Sequence, residues 1–124
     1  MKQENEKQKE RSKEILEGLK VKRGGSVLSF HKKIANDPDL VKAFDTQYGI
    51  CKKDISHIPP KYVELILLAL GCSKGVQTTI DTHGKLAFEK GATIEEIGET
   101  LRLVFFYCGA SGLIPGAEIF EELE

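Results

Sequence analysis

The stretch KYVELILLALGCSKGVQTTIDTHGKLAFEKG, residues 61–91, decides the fold. Within it, residues 62–72 are eleven positions with a single charge, Glu64. A run of that length is too short to span a bilayer and suits a buried core helix. The sequence Gly71-Cys72-Ser73-Lys74-Gly75 then predicts a kinked pause. A second helix follows, with Val76, Thr79, Ile80, His83, Ala87 and Phe88 at spacings of three and four, hence on one face. One carboxylate and one imidazole therefore lie on two consecutive apolar helices, 19 residues apart. Antiparallel helices joined by a short glycine-bounded turn can bring Glu64 and His83 within direct or one-water reach. Two titratable groups in an apolar surround shift each other's pKa, which is how an acid–base pair is tuned.

Composition bounds the reading on either side of this stretch. At 124 residues the chain is expected to be one domain with a core of its own. Eighteen basic against nineteen acidic residues leave a net charge of −1, which gives no electrostatic case for a nucleic-acid partner. Three cysteines, separated by 21 and 36 residues, fit neither a disulfide framework nor a zinc pattern. The N-terminus is charged rather than apolar, so no signal peptide or membrane anchor is expected. A cytoplasmic protein is the natural reading.

Residues 1–14 hold nine charges and no apolar side chain beyond Met1, as a solvated tail or helix start does. Glu6–Lys9 and Glu10–Lys13 can pair there at i,i+3. Ile15, Leu16 and Leu19 give the first helix a small apolar stripe, and Gly24-Gly25 stops it. Ser26 is a cap candidate for a short second helix carrying Val27, Phe30, His31 and Ile34. Asp37-Pro38 predicts a helix start, with Leu40, Phe44 and Tyr48 as its core-facing stripe. Residues 49–58 read as irregular, and Pro59-Pro60 opens the helix bearing Glu64. Thr93-Ile94-Glu95-Glu96 is a capping box for the next helix, which places Ile94, Ile97, Leu101, Val104, Phe105 and Cys108 on one face. Leu103, Phe106 and Tyr107 cover much of the rest of its circumference, the pattern of a helix buried on more than one side and thus of a subunit contact. Gly109-Ala110-Ser111-Gly112 permits close backbone approach, and residues 115–123 read as a short final helix. No run alternates with period two, so the expectation is an all-α bundle of six to seven helices. Residues 15–124 form its domain behind the charged segment 1–14.

Residues 64–98 resemble the core of the carboxymuconolactone decarboxylase and alkylhydroperoxidase D-like family. Members carry a glutamate on an apolar helix and a histidine 19 residues later. The phrase A-x-x-x-G-A-T-x-E-E-I follows, matched here by residues 87–97. The resemblance implies an oligomer, commonly a hexamer built as a trimer of dimers. It also implies one of two chemistries. The peroxidase branch places a Cys-x-x-Cys pair 12 and 15 residues after the glutamate, where this chain has Val76 and Thr79. Those residues can neither attack a peroxide nor resolve a sulfenate. Cys72, one turn earlier, has no cysteine at i+3. The decarboxylase branch lacks the cysteine pair and keeps the glutamate and histidine, as here. It tends to carry ionisable residues between them, whereas this chain has Gln77-Thr78-Thr79.

Three readings follow. The first is a decarboxylase-like lyase acting on a small organic acid or lactone, with His83 as acid–base and Glu64 as its partner, in a pocket lined by Val76, Thr79 and Cys72. The second is a peroxidase-type oxidoreductase using Cys72 or a partner's thiol. The third is a non-catalytic family member whose oligomer serves as a binding or structural module; Glu64 would then simply bridge to a Lys or Arg, or to a backbone donor, at a subunit contact. No second ligand stands at i+3 or i+4 of His83, so no metal is expected, and no cofactor. His31 and His57 receive no role.

Overall fold

The computed structural model describes residues 1–124. All seven regular elements longer than a single turn are α-helices, and there is no strand. They fall into two compact units, Met1–Ser56 and His57–Glu124. The division lies in a stretch, residues 53–60, that is exposed throughout and so lacks packing to tie it to either side. The boundary drawn from charge at 14/15 lies inside the first helix.

The first unit holds α1 (Glu6–Lys22), α2 (Ser29–Ile34) and α3 (Pro38–Tyr48). Asn5 caps α1 by accepting from the Gln8 N–H, and Lys9 pairs with Glu6 at 2.9 Å. Ser12 and Leu19, two turns apart, form the buried face of α1; the Ser12 hydroxyl donates to the Ala35 carbonyl. Gly24 and Gly25, at φ +86° and +119°, end the helix in a region closed to side-chain-bearing residues. Asp37 and Pro38 start α3 as their sequence predicts: the Asp37 carboxylate accepts from the Asp39 N–H.

Two local readings are corrected here. Ser26 does not cap α2; the residue at the N-cap is Leu28, whose N–H donates to His31 Nδ1 at 2.8 Å. The buried stripe of α3 runs through Pro38, Val41 and Asp45, while Leu40 is exposed. The face is rotated by one residue because Asp45, paired with Lys22 of α1 at 2.8 Å, can be buried without an orphan charge. The helix then widens into one π turn, Gly49–Lys53, where an irregular segment was expected.

His31 is a structural residue. It is buried between Phe30 and Phe44, with ring centroids 5.4 and 5.0 Å away, and its Nδ1 must stay unprotonated to accept from Leu28. Burial, and then the Arg23 guanidinium, hold its pKa below the usual value. In the unfolded chain the ring takes a proton near pH ~6.5; in the folded chain it resists. The stability this gives is therefore complete above about pH 6.5 and is lost as pH falls toward the folded value. The urea midpoint is expected to drop between pH 7.5 and 5.5, with that drop reduced in His31→Gln.

The second unit holds α4 (Pro60–Lys74), α5 (Gln77–Glu89), α6 (Ile94–Cys108) and α7 (Ala110–Ala117). The buried positions of α4, Glu64, Leu65, Leu68, Gly71 and Cys72, form one stripe at i, i+1, i+4, i+7 and i+8. It meets Ile80 and Ala87 of α5 and Ile97, Leu101 and Val104 of α6 in one core. The pause expected at residues 71–75 is absent. Helix α4 continues to Lys74 and reverses at Gly75, which takes φ +69°. Gly71 is instead a contact point: a Cβ there would lie 2.9 Å from Thr79 Cγ2 and 3.2 Å from the Ile80 backbone nitrogen. Val76 and Phe88, expected on the buried face of α5, are exposed, as are Ile94 and Phe105 of α6. The capping box at Thr93 and Glu96 forms in both directions, at 3.0 Å each. The last helix is Ala110–Ala117, not residues 115–123. Gly109 O accepts from the N–H groups of both Gly112 and Leu113, so the helix starts at once, and Pro115 sits within it.

Gly71→Ala is expected to destabilise the second unit despite alanine's better helix propensity. The propensity gain is about 1 kcal/mol. Overpacking against a β-branched side chain and a helix backbone costs about 1–3 kcal/mol. A net loss of about 1 kcal/mol in denaturant titration is the expected result, and a gain would show that α4 and α5 can separate without cost.

Candidate active site

Helices α4 and α5 make the most extensive contact of the second unit, and the turn at Gly75 runs them antiparallel. That places Glu64, near the start of α4, opposite the second half of α5. Its side chain is completely buried, 0% exposed. A buried carboxylate is costly unless both oxygens find partners. Here Oε2 lies 2.6 Å from His83 Nδ1, and Oε1 accepts from Lys90 Nζ at 2.7 Å. The His83 side chain is 19% exposed and that of Lys90 35%. The charged oxygen atoms are thus at the bottom and the imidazole stands between them and solvent.

The geometry assigns roles. A carboxylate accepts, so Nδ1 carries the hydrogen and Nε2 is the basic nitrogen of the neutral ring. Glu64 cannot touch a solute directly; His83 can. Glu64 thus fixes the orientation and tautomer of the ring.

Lys90 is the member that sequence reading missed. The sequence leaves the partner of Glu64 open between a Lys, an Arg and a backbone donor. Lys90 stands seven residues after His83, two helical turns along the same face, and that spacing was the available signal.

The expected pocket residues are placed differently. Val76 is the exposed residue at the start of α5, and Thr79 is half-buried against Gly71. Cys72 is fully buried; a Cβ on Gly116 would come within 2.8 Å of its Sγ. Burial, and then the neighbouring Cys108, push the Cys72 thiol above its usual pKa, the reverse of what a reactive thiol requires. An open apolar cleft of about 730 Å³ lies elsewhere, between α6 and α7, lined by Leu101, Arg102, Phe105, Phe106, Leu113 and Phe120 among others. None of Glu64, His83, Val76, Thr79 and Cys72 lines it. No cluster of three or more His, Cys, Asp or Glu side chains is arranged to hold a metal, and no helix is long and apolar enough to cross a membrane.

Comparison with known proteins adds the family. The model of the carboxymuconolactone decarboxylase family matches residues 38–122, more than half of the chain. The chain belongs to that family. Its match covers α3 to α7 and includes Glu64, His83 and Lys90. Among curated proteins and among solved structures nothing matches.

Proposed function

We propose that this carboxymuconolactone decarboxylase family member acts on a small organic acid or lactone by acid–base chemistry at Glu64 and His83. The observation that carries the reading is the 2.6 Å contact between a fully buried carboxylate and a partly exposed imidazole. Loss of carbon dioxide from a lactone carboxylate breaks a C–C bond and leaves its electron pair as a dienolate. That carbanion equivalent must then take one proton. His83 supplies it as the imidazolium and recovers it from solvent, while Glu64 holds the ring in place. A thermal-shift screen of small carboxylic acids and lactones tests the reading. Ligands that stabilise the wild type and turn over support it; binding without turnover of any of them would leave a binding module.

We further propose that the working form is a homo-oligomer, with the hexamer of the family's usual assembly as the expected form. Phe106 and Tyr107 are each 87% exposed on the isolated chain, beside the exposed Leu103 and Phe105. An apolar face of this kind on a surface helix calls for a covering partner. Light scattering is expected to show a species several times 13.8 kDa. The double change Phe106→Glu, Tyr107→Glu should shift it toward monomer, and a wild-type monomer at micromolar concentration would overturn the assignment.

A further inference from the structure

Charge is distributed unevenly along the chain. The first unit, Met1–Ser56, carries thirteen cationic and nine acidic residues, a net +4; the second, His57–Glu124, carries five and ten, a net −5. The overall −1 therefore hides two opposed charges, and each is concentrated further. Residues 18–36, from the end of α1 to just past the end of α2, hold five cations and no carboxylate. Residues 118–124, which follow α7, hold four glutamates in seven positions and no cation.

Helix dipoles account for part of the basic surface: Lys20 and Lys22 stand in the last turn of α1, and Lys32 and Lys33 in that of α2. Lys22 is further committed to Asp45 at 2.8 Å. Lys20, Lys32 and Lys33 are exposed and take part in no ion pair. The four glutamates of residues 118–124 are likewise exposed and unpaired. Both surfaces also set apolar side chains among their charges, Val21 and Phe30 on the basic one, Phe120 and the fully exposed Leu123 on the acidic one. Interleaving of this kind suits a protein partner, in which apolar groups supply contact area while opposite charges fix register and speed encounter. A nucleic acid would match the cations of the first surface and leave the second without a partner. A second copy of this chain supplies the complement of both.

We propose that residues 118–124 of one copy dock on the basic surface of residues 18–36 of a second copy. Every copy carries both surfaces, so two copies can exchange the contact reciprocally. The contact is separate from the apolar one proposed for α6, and salt tells them apart. The reach of an exposed charge falls from about 10 Å at 0.1 M salt to about 3 Å at 1 M, whereas apolar contact is not screened.

The experiment is sedimentation of the full chain over a dilution series, in about 0.1 M and about 1 M sodium chloride. The apparent dissociation constant of the self-associated form is expected to rise about tenfold in the higher salt. At the lower salt, the triple reversal Lys20→Glu, Lys32→Glu, Lys33→Glu should weaken association by a similar factor. So should Glu121→Lys, Glu122→Lys, Glu124→Lys. An equimolar mixture of these two variants should recover it, because each then presents the complement of the other's reversed surface. A contact within one chain cannot produce that recovery. Reversing Glu4, Glu10 and Glu14, which are also exposed and unpaired, changes the net charge as much as the other glutamate reversal and should leave association at wild-type strength. All these positions are exposed, so the variants should keep the helical circular dichroism of the wild type. A mixture that stays dissociated would overturn the proposal, as would a loss of association in the Glu4, Glu10, Glu14 variant equal to that of the other two. Association unmoved by salt and by both reversals, yet lost in Phe106→Glu, Tyr107→Glu, would also overturn it and leave the α6 contact standing.

Discussion

Glu64→Ala is expected to lower the unfolding free energy by about 3 kcal/mol, the largest stability loss of any single change considered for this chain. Three effects add. The side chain is fully buried, so its removal leaves a void between α4 and α5 that the tight contact at Gly71 keeps from collapsing. His83 Nδ1 and Lys90 Nζ lose the acceptors at 2.6 and 2.7 Å. Lys90 is also left as an uncompensated cation beside the core. Against this, both partners are partly exposed and can turn toward water, which places the cost at the lower end of the 3–5 kcal/mol typical of a broken buried pair. Glu64→Gln keeps the volume and one acceptor oxygen but sets an amide NH₂ against one of two donors, so an intermediate loss is expected. Urea titration with an unchanged slope measures both. A loss below about 1 kcal/mol for Glu64→Ala would mean that the carboxylate, though buried, contributes nothing net to the fold.

The sequence made part of this arrangement legible. Helix number and type followed from spacing, because α3, α4 and α6 carry start signals that are chemical: Asp37-Pro38, Pro59-Pro60, and the Thr93–Glu96 box. The meeting of Glu64 and His83 followed from two apolar stripes on helices joined by a glycine turn. The misreadings share one cause. A hydrophobic stripe says which residues prefer burial but not how many can be buried by one short chain. Leu40, Val76, Phe88, Ile94 and Phe105 all fit helical stripes and all are exposed on the isolated chain. Charge misled in the other direction: Asp45, outside the expected stripe of α3, is buried because Lys22 reaches it. Lys90 was invisible for the same reason, since a lysine at the end of a helix ordinarily points to solvent. The glycine at position 71 looked like a break and is a contact, a distinction that only the position of α5 decides.

His83→Ala is expected to abolish acid–base turnover, with kcat/KM falling by about 10²–10⁴. The imidazole is the member of the pair that a solute can reach, and its proton on Nδ1 is committed to Glu64, so the proposed proton transfer falls to the opposite nitrogen. Alanine removes both functions but also strips one hydrogen bond from a buried carboxylate, at a cost of about 1–3 kcal/mol. A fall in activity alone would therefore not separate chemistry from folding. His83→Asn separates them: its amide can donate toward the carboxylate but cannot carry a proton to a bound molecule. Both variants should lose turnover, Asn with the smaller loss of stability, and both should keep the wild-type assembly because the exposed face of α6 is untouched. Ligands found by thermal shift should still stabilise His83→Asn, since binding and proton transfer are distinct demands on the site. Turnover within about tenfold of wild type in a folded His83→Asn would remove the imidazole from the reaction and leave Glu64, His83 and Lys90 as a buried ion network of the fold.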